Sequence, residues 1–234
     1  MQAQLNVAAN AALKSGKVLM QYFSQRERLK FITGKDGNLI TSAHSNIEEI
    51  ILEELSKNYP EYTINAKESG EFRGNEFSWY VNAIDGTENF IHGIPNFAIN
   101  ISLIVNNEVK LGVIYDPTKD ELYTAAKGQG ATLNQSRVRI FKKTSPVLLI
   151  ASDSNNIIKD SSYRVSGCQS LDLAYVSSSK LSGIISSSCD IWNSPAGILM
   201  IREAGGFILN EKNHDVSFTN NFIKAGSYKV AKGL

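Results

Sequence analysis

The sequence is poor in the residues that staple or interrupt a fold. It holds two cysteines, five prolines and three histidines among 234 residues. The cysteines, Cys168 and Cys189, form no CxxC pair. They make no disulfide framework, and they fit a reducing, cytoplasmic compartment. Long apolar runs are also missing, since no stretch approaches the roughly 20 residues that cross a bilayer. Leu5 to Phe23 is interrupted by Asn6, Asn10, Lys14, Ser15 and Lys17, so it lacks the apolar heart of a signal peptide. No membrane association is expected. Nor is there a surplus of either charge. Lys and Arg total 24 against 23 for Asp and Glu, which argues neither for nor against a polyanionic partner, and nucleic acid is not directly indicated.

What is present is a core. Apolar residues make up 42% of the chain, enough for one large domain or two smaller parts that share an interior. Leu5, Ala8, Ala9, Ala12, Leu13, Gly16, Leu19 and Phe23 recur at helical spacing. Lys35-Asp36-Gly37-Asn38 reads as a turn. A second helix is predicted to start at Ser45, with Glu48 completing a capping box, and to stop at Pro60. Strands are predicted over Tyr62 to Ala66, Ser78 to Ile84, Phe97 to Val105 and Val109 to Tyr115, the last two joined as a hairpin at Asn106-Asn107-Glu108. Another pair runs over Glu121 to Ala126 and Ala131 to Leu133, turning at Lys127-Gly128-Gln129-Gly130. The second half alternates: strands Val147 to Ala151 and Gly183 to Ser186, a helix Leu171 to Leu181, and a helix from Ser194-Pro195 to Gly205-Gly206. Phe207 to Asn210 and Phe222 to Ala225 close the pattern as strands. The class is α+β or layered α/β. Helices plus an antiparallel sheet occupy residues 1–140 and an α/β part occupies 141–234, as one compact unit.

Chemistry is concentrated at Ile84-Asp85-Gly86-Thr87. A strand runs into a carboxylate, a glycine that permits a sharp turn with bare N–H groups, and a hydroxyl. That is a cradle for an anion or for a phosphate bridged to a divalent cation. Elsewhere the plainer readings hold. His92 is expected to make a structural polar contact and His214 to be solvated. Cys168 and Cys189 read as small core residues. Trp79, Tyr80 and Phe90 read as core, and Arg137, Arg139, Lys142 and Lys143 as a solvated basic face.

The turn lies within a longer pattern, Ile84-Asp85-Gly86-Thr87-x-Asn89-Phe90-x-His92-Gly93-x-Pro95-x-Phe97-Ala98, that resembles the signature of the inositol monophosphatase family. Leu111-Gly112-Val113-Ile114-Tyr115-Asp116-Pro117, Ala126-Lys127-Gly128-x-Gly130-Ala131, Ser170-Leu171-Asp172-Leu173-Ala174-Tyr175-Val176 and Glu203-Ala204-Gly205-Gly206 continue the resemblance in order. It covers residues 5 to 228 and includes the bacterial SuhB branch. The resemblance implies a layered α/β/α/β/α sandwich, usually a homodimer. It also implies Mg²⁺ ions held between a Glu, Asp carboxylates and a backbone carbonyl, hydrolysing inositol monophosphate or a similar sugar phosphate.

The departures from that pattern fall on the chemistry. Lys67, in Ala66-Lys67-Glu68-Ser69, stands where the resemblance implies a metal-binding Glu. Asn82 replaces one metal-binding Asp, and Asn193, after Trp192, replaces another. His44 stands at an assisting Asp, and Ser186 at a Glu that contacts substrate hydroxyls. Asp85, Thr87 and the carbonyl of Ile84 remain as vestiges of the metal and catalytic set. Losing carboxylates and gaining a cation removes the charged oxygens that Mg²⁺ needs, so no resident cofactor is expected. Lys67 is expected to pair with Asp85, while Glu68, pointing to the other face of a strand, needs a slipped register to act as a ligand. Gly86, Thr87 and Lys67 are the expected anion-binding residues. The favoured expectation is a non-catalytic family member that binds a partner or an anion. The resemblance suggests a protein of the transcription machinery as that partner. The alternatives are a Mg²⁺-dependent phosphatase with an altered site and a phosphate sensor.

Overall fold

Helix α1 (Gln2–Ser24) buries Leu5, Ala8, Ala12 and Leu19 along one stripe, as the apolar spacing requires. In this computed structural model the chain is described over residues 1–33, 39–141, 147–153 and 161–234. The expected turn at Lys35 to Asn38 and the pair Lys142-Lys143 lie outside those residues. A short hairpin of β1 (Phe31–Thr33) and β2 (Leu39–Thr41) leads into α2 (Ser42–Asn58). That helix starts earlier than its sequence suggests. Thr41 is the N-cap, and His44 at the third helical position reaches back to accept from the Thr41 N–H at 3.1 Å. Ser45 and Glu48 lie inside the helix, and Glu48 is fully buried with other work to do.

The large sheet is built from β3 (Thr63–Ala66), β4 (Gly70–Phe72), β5 (Phe77–Asp85), β6 (Ala98–Val105), β7 (Glu108–Asp116), β8 (Glu121–Ala126), β9 (Gly130–Leu133) and β10 (Ser136–Val138). Its order is β10-β9-β8-β7-β6-β5-β3-β4, antiparallel except for the β3–β5 pair. The β6–β7 connection turns on Asn106 and Asn107, both at positive φ (51° and 57°). That geometry matches the right-handed twist of the flanking strands and is tolerated best by Asn and Gly. Between β5 and β6 runs the six-residue helix α3 (Thr87–His92).

A second sheet comprises β11 (Leu148–Ser152), β12 (Ser161–Arg164), β13 (Gly183–Ser186), β14 (Phe207–Leu209) and β15 (Ile223–Gly226), in the order β12-β11-β13-β15-β14. Helices α4 (Gln169–Ser177) and α5 (Pro195–Glu203) pack between the two sheets, α1 and α2 cover the far face of the first, and α6 (Tyr228–Gly233) covers the second. The result is the α/β/α/β/α layering. Burial follows it. Ile47, Ile51, Trp79, Val81, Ile99, Ile101 and Val113 form the core under α1 and α2, while Leu171, Leu173, Ile198, Met200 and Ile208 fill the middle. Strand β6 is buried along its whole length, and its polar side chains are paired only in part: Asn100 Oδ1 and Ser102 Oγ have no hydrogen-bond partner among the described residues. The Asn100 amide nitrogen donates to Ser170 Oγ and the Asn193 carbonyl, each at 2.8 Å.

Candidate functional site

Strand β5 does not end cleanly. The register of β5 against β6 shifts between Asn82 and Asp85, a bulge that re-aims the side chains of the strand end. Gly86 follows at φ +84°. A Cβ there would lie 2.8 Å from the Asn96 carbonyl and 3.2 Å from Cys168 Cβ, so glycine meets both the conformation and the space. The Thr87 hydroxyl then donates back to the Ile84 carbonyl at 3.3 Å.

His44 closes a relay onto that turn. Its Nδ1 accepts from the Thr41 N–H, so the neutral ring carries its proton on Nε2, which lies 3.1 Å from Thr87 Oγ1. Burial and then the Lys67 charge push the His44 pKa down to about 4. The imidazole is therefore neutral at pH 7 and acts as a donor to Thr87.

Asn82 and Asn193, separated by 111 positions, meet here, with Asn82 Nδ2 donating to Asn193 Oδ1 at 2.5 Å. The direction is fixed from outside the pair. Asn193 Nδ2 donates to the carboxylate of Asp190 at 3.0 Å, which can only accept, so Asn193 Oδ1 faces Asn82. Asn82 Oδ1 in turn accepts from the Ile84 N–H at 3.3 Å. Asp190 also receives the N–H groups of Trp192 and Asn193. Ser194 is the N-cap residue of α5, but its hydroxyl donates to the Asp190 carbonyl and not to the helix's own N–H groups.

Asp85 is 7% exposed. Burial drives its pKa up, opposed by the Ser170 N–H (2.7 Å to Oδ2), the Ser170 hydroxyl, the Lys67 charge and the Cys168 thiol. The expected contact ion pair between Lys67 and Asp85 is not formed among the described residues. Asp85 is turned into the first turn of α4, and Lys67 acts on it through space. Cys168 is buried as expected, but its thiol lies against the site carboxylate, 3.3 Å from Asp85 Oδ2.

Lys67 and Glu68 both line the cavity beside this turn. The alternation that put them on opposite faces does not apply, because β3 ends at Ala66 and Lys67 to Ser69 form a turn. That turn is held by Glu48, whose buried carboxylate accepts from the N–H groups of Glu68 (3.0 Å) and Ser69 (2.9 Å) and from the Ser69 hydroxyl.

The cavity, of about 550 Å³, runs on to the ends of β11 and β13. Ser186 reaches it as expected, but the residue that organises this wall, Asp153, was not singled out from the sequence. Asp153 accepts from the Ser186 hydroxyl (2.5 Å), the Ser188 hydroxyl (2.7 Å) and the N–H groups of Ser187 and Ser188. Burial raises its pKa, but these hydrogen bonds outweigh it and the net shift is downward. The signal present in the sequence was the serine run itself, which supplies such donors. Asp172 lies deeper, 8% exposed, and accepts from the Ser166 hydroxyl at 2.7 Å. Burial, with Asp85 and Asp153 nearby, lifts its pKa to about 7 despite that bond.

Among the described residues no three His, Cys, Asp or Glu side chains converge to hold a metal ion, and no described helix is long and apolar enough to cross a membrane. His92 is exposed at the end of α3 and its ring makes no hydrogen bond to the described residues, so the polar contact expected of it is not made. His214 is exposed, as expected. Trp79 and Phe90 are fully buried, while Tyr80 is half-buried against Trp192 at 5.9 Å between ring centres.

Comparison with known proteins places this arrangement. Residues 1–233 match the model of the Inositol monophosphatase family. The chain is 31% identical to the Nus factor SuhB of Pasteurella multocida, over 100% of this chain and 95% of the relative. It is 33% identical to an Inositol-1-monophosphatase of Mesorhizobium japonicum, over 99% and 94%. The solved structure of the extragenic suppressor protein suhB from Bartonella henselae superposes with a TM-score of 0.90 at 32% identity, covering 99% of this chain and 98% of that one. An inositol monophosphatase from Anabaena gives 0.85 at 28% identity, covering 99% and 95%.

Proposed function

The chain belongs to the inositol monophosphatase family, and from that premise we propose that it acts by binding a partner or an anion rather than by hydrolysing a phosphate ester. The observation that carries this reading is the Asn82–Asn193 hydrogen bond at 2.5 Å. Two carboxylates so placed would repel by about 4 kcal/mol at an effective dielectric near 20, and a divalent cation is what relieves such a pair. Two amides satisfy each other instead. The neighbouring groups are also committed: Asp85 to Ser170 and Cys168, and the Ile84 carbonyl to Thr87. Lys67 adds a positive charge where a cation would sit. These residues do not fit Mg²⁺, which requires several charged oxygens in near-octahedral array.

The vestigial catalytic pair Asp85 and Thr87 is thereby reduced to holding the turn. Gly86, Thr87 and Lys67 retain the capacity to receive an anion weakly, through backbone N–H groups and a cation. Relatives described as Nus factors point to a protein of the transcription machinery as partner, and the family's usual homodimer is the expected assembly. A Mg²⁺-dependent phosphatase acting on inositol monophosphate or a related sugar phosphate is the alternative, carried by the Mesorhizobium relative.

The assay that separates the two uses inositol monophosphate at millimolar Mg²⁺. The natural chain is expected to give no turnover above buffer, and the triple variant Lys67→Glu, Asn82→Asp, Asn193→Asp to gain Mg²⁺-dependent turnover. Clear Mg²⁺-dependent hydrolysis by the natural chain would sink the non-hydrolytic reading. Affinity purification from cells tests the partner separately, and recovery of no transcription protein would remove that part of the proposal.

A further inference from the structure

The outer helical layer stops short of one end of the large sheet. Helix α1 lies tight against β7, where a Cβ at Gly16 would stand 2.3 Å from the Tyr115 ring. Its first three turns instead leave a hollow of about 580 Å³ against β8 and β9. Strand alternation turns Leu122 and Ala126 to this side and Tyr123 and Ala125 to the other. Leu122, Thr124 and Thr132 stay only half-buried, because no helix covers them. The hollow shares no residue with the cavity beside Gly86.

None of the residues that line it is charged, although charged residues make up 20% of the chain. A charged guest would lose hydration there and gain no counter-ion. Gln2, Asn6 and Asn10 recur every four positions and so stand in one row along the helix. Gln2 Nε2 donates to Asn6 Oδ1 at 2.9 Å, which leaves the Asn6 amide nitrogen and the Gln2 carbonyl oxygen open. The side-chain amides of Asn10, and of Gln129 and Gln135 across the hollow, make no hydrogen bond among the described residues. Each offers donors and an acceptor together. Beside the amide row, Leu5, Ala9, Leu13 and Leu122 supply an apolar floor.

The spacing selects a guest. Positions four apart on a helix lie about 6 Å apart along its axis. Alternate residues of an extended chain lie about 6.6 Å apart, with their side chains on one face. An amide row can therefore bond the N–H and C=O groups of every second residue, as in strand-like peptide recognition. From Gln2 to Asn10 the row is about 12 Å long, the reach of about four extended residues. We propose that this hollow binds an extended, uncharged segment of a partner protein, its main chain bonded to Asn6 and Asn10 and alternate side chains seated on the apolar floor. The inference concerns a second face of the molecule and holds whether or not the Gly86 cavity hydrolyses phosphate esters.

Calorimetric titration of the full chain with the capped peptide acetyl-Ser-Val-Ser-Val-Ser-amide tests the site apart from any catalytic assay. Saturable binding with a Kd below about 1 mM is expected. Two altered peptides, one N-methylated along its backbone and one with Glu in place of Ser, are each expected to bind about tenfold more weakly or worse. Asn10→Leu, at an exposed position, removes one amide and is expected to weaken binding about tenfold, corresponding to about 1.4 kcal/mol. Ala9→Arg, which fills the floor and brings a charge, is the second variant and is expected to abolish binding while the chain still melts cooperatively. Sedimentation of the free chain, expected to be unchanged by Asn10→Leu, checks for a second copy in the hollow. An assembly that this variant breaks would assign the hollow to another copy and overturn a separate partner. No heat up to about 10 mM peptide, equal affinity for the N-methylated peptide, or unchanged affinity in both variants also overturns the proposal.

Discussion

His44 shows how one buried side chain sets the chemistry of a turn. Its ring is placed between the Thr41 N–H and the Thr87 hydroxyl, and a second proton would have to sit on Nδ1, facing the Thr41 donor. Burial and Lys67 both oppose that charge, which is why the pKa falls to about 4 from an ordinary 6.5. The sign of the stability effect follows. The folded pKa is depressed, so the unfolded chain binds the proton more readily. The stabilisation is complete above pH 6.5 and is lost as pH falls toward 4, with an upper bound of about 3 kcal/mol. Replacing His44 with Gln removes the titrating group. Denaturant unfolding at a series of pH values is therefore expected to show the natural chain losing stability, relative to the His44→Gln variant, between those limits. A constant difference between the two across that window would show that His44 does not titrate as its surroundings dictate.

At the scale of elements, the Lys67 to Ser69 turn is the piece that local patterning could not place. Glu48 lies on α2, 20 and 21 positions before the N–H groups it accepts, and from sequence it looked like half of a capping box. Deleting that carboxylate by Glu48→Ala leaves two backbone donors and the Ser69 hydroxyl without their acceptor, at about 1–3 kcal/mol for each buried donor left unsatisfied. Hydrogen exchange should register the change first at Glu68 and Ser69, ahead of strand β5, and unaltered protection there would rule out the latch. The same limit explains what sequence did and did not reveal elsewhere. The α1 stripe, the Asn106-Asn107 hairpin and the β5-to-Gly86 turn are legible because their causes lie within a few residues. The resemblance singled out Asn82, Asn193 and Lys67. It could not show that the two amides bond to each other across 111 residues, or that Asp153 gathers Ser186 to Ser188 from 33 to 35 positions away. Those facts belong to the packing of layers.

For the whole molecule the question is what joins the layers at the site. Asn82 belongs to the first sheet and Asn193 to the turn that feeds α5 in the middle layer. Asn100 on the buried strand β6 reaches both Ser170 at the start of α4 and the Asn193 carbonyl. Every one of these contacts is a hydrogen bond between neutral groups, so on the function proposed above the junction needs no ion. Carboxylates at 82 and 193 would make the same junction repulsive until a cation entered, and folding would then be linked to metal binding. Thermal melting separates the cases without reference to activity. The natural chain is expected to melt at the same temperature in EDTA and in millimolar Mg²⁺. The variant Lys67→Glu, Asn82→Asp, Asn193→Asp is expected to melt lower in EDTA and to recover with Mg²⁺. At a hundredfold excess over Kd the recovery is about 2.7 kcal/mol, or roughly 5–10 °C for a chain of this size. A comparable Mg²⁺-dependent rise in the natural chain would mean that a cation, and not the amide pair, holds the two layers together.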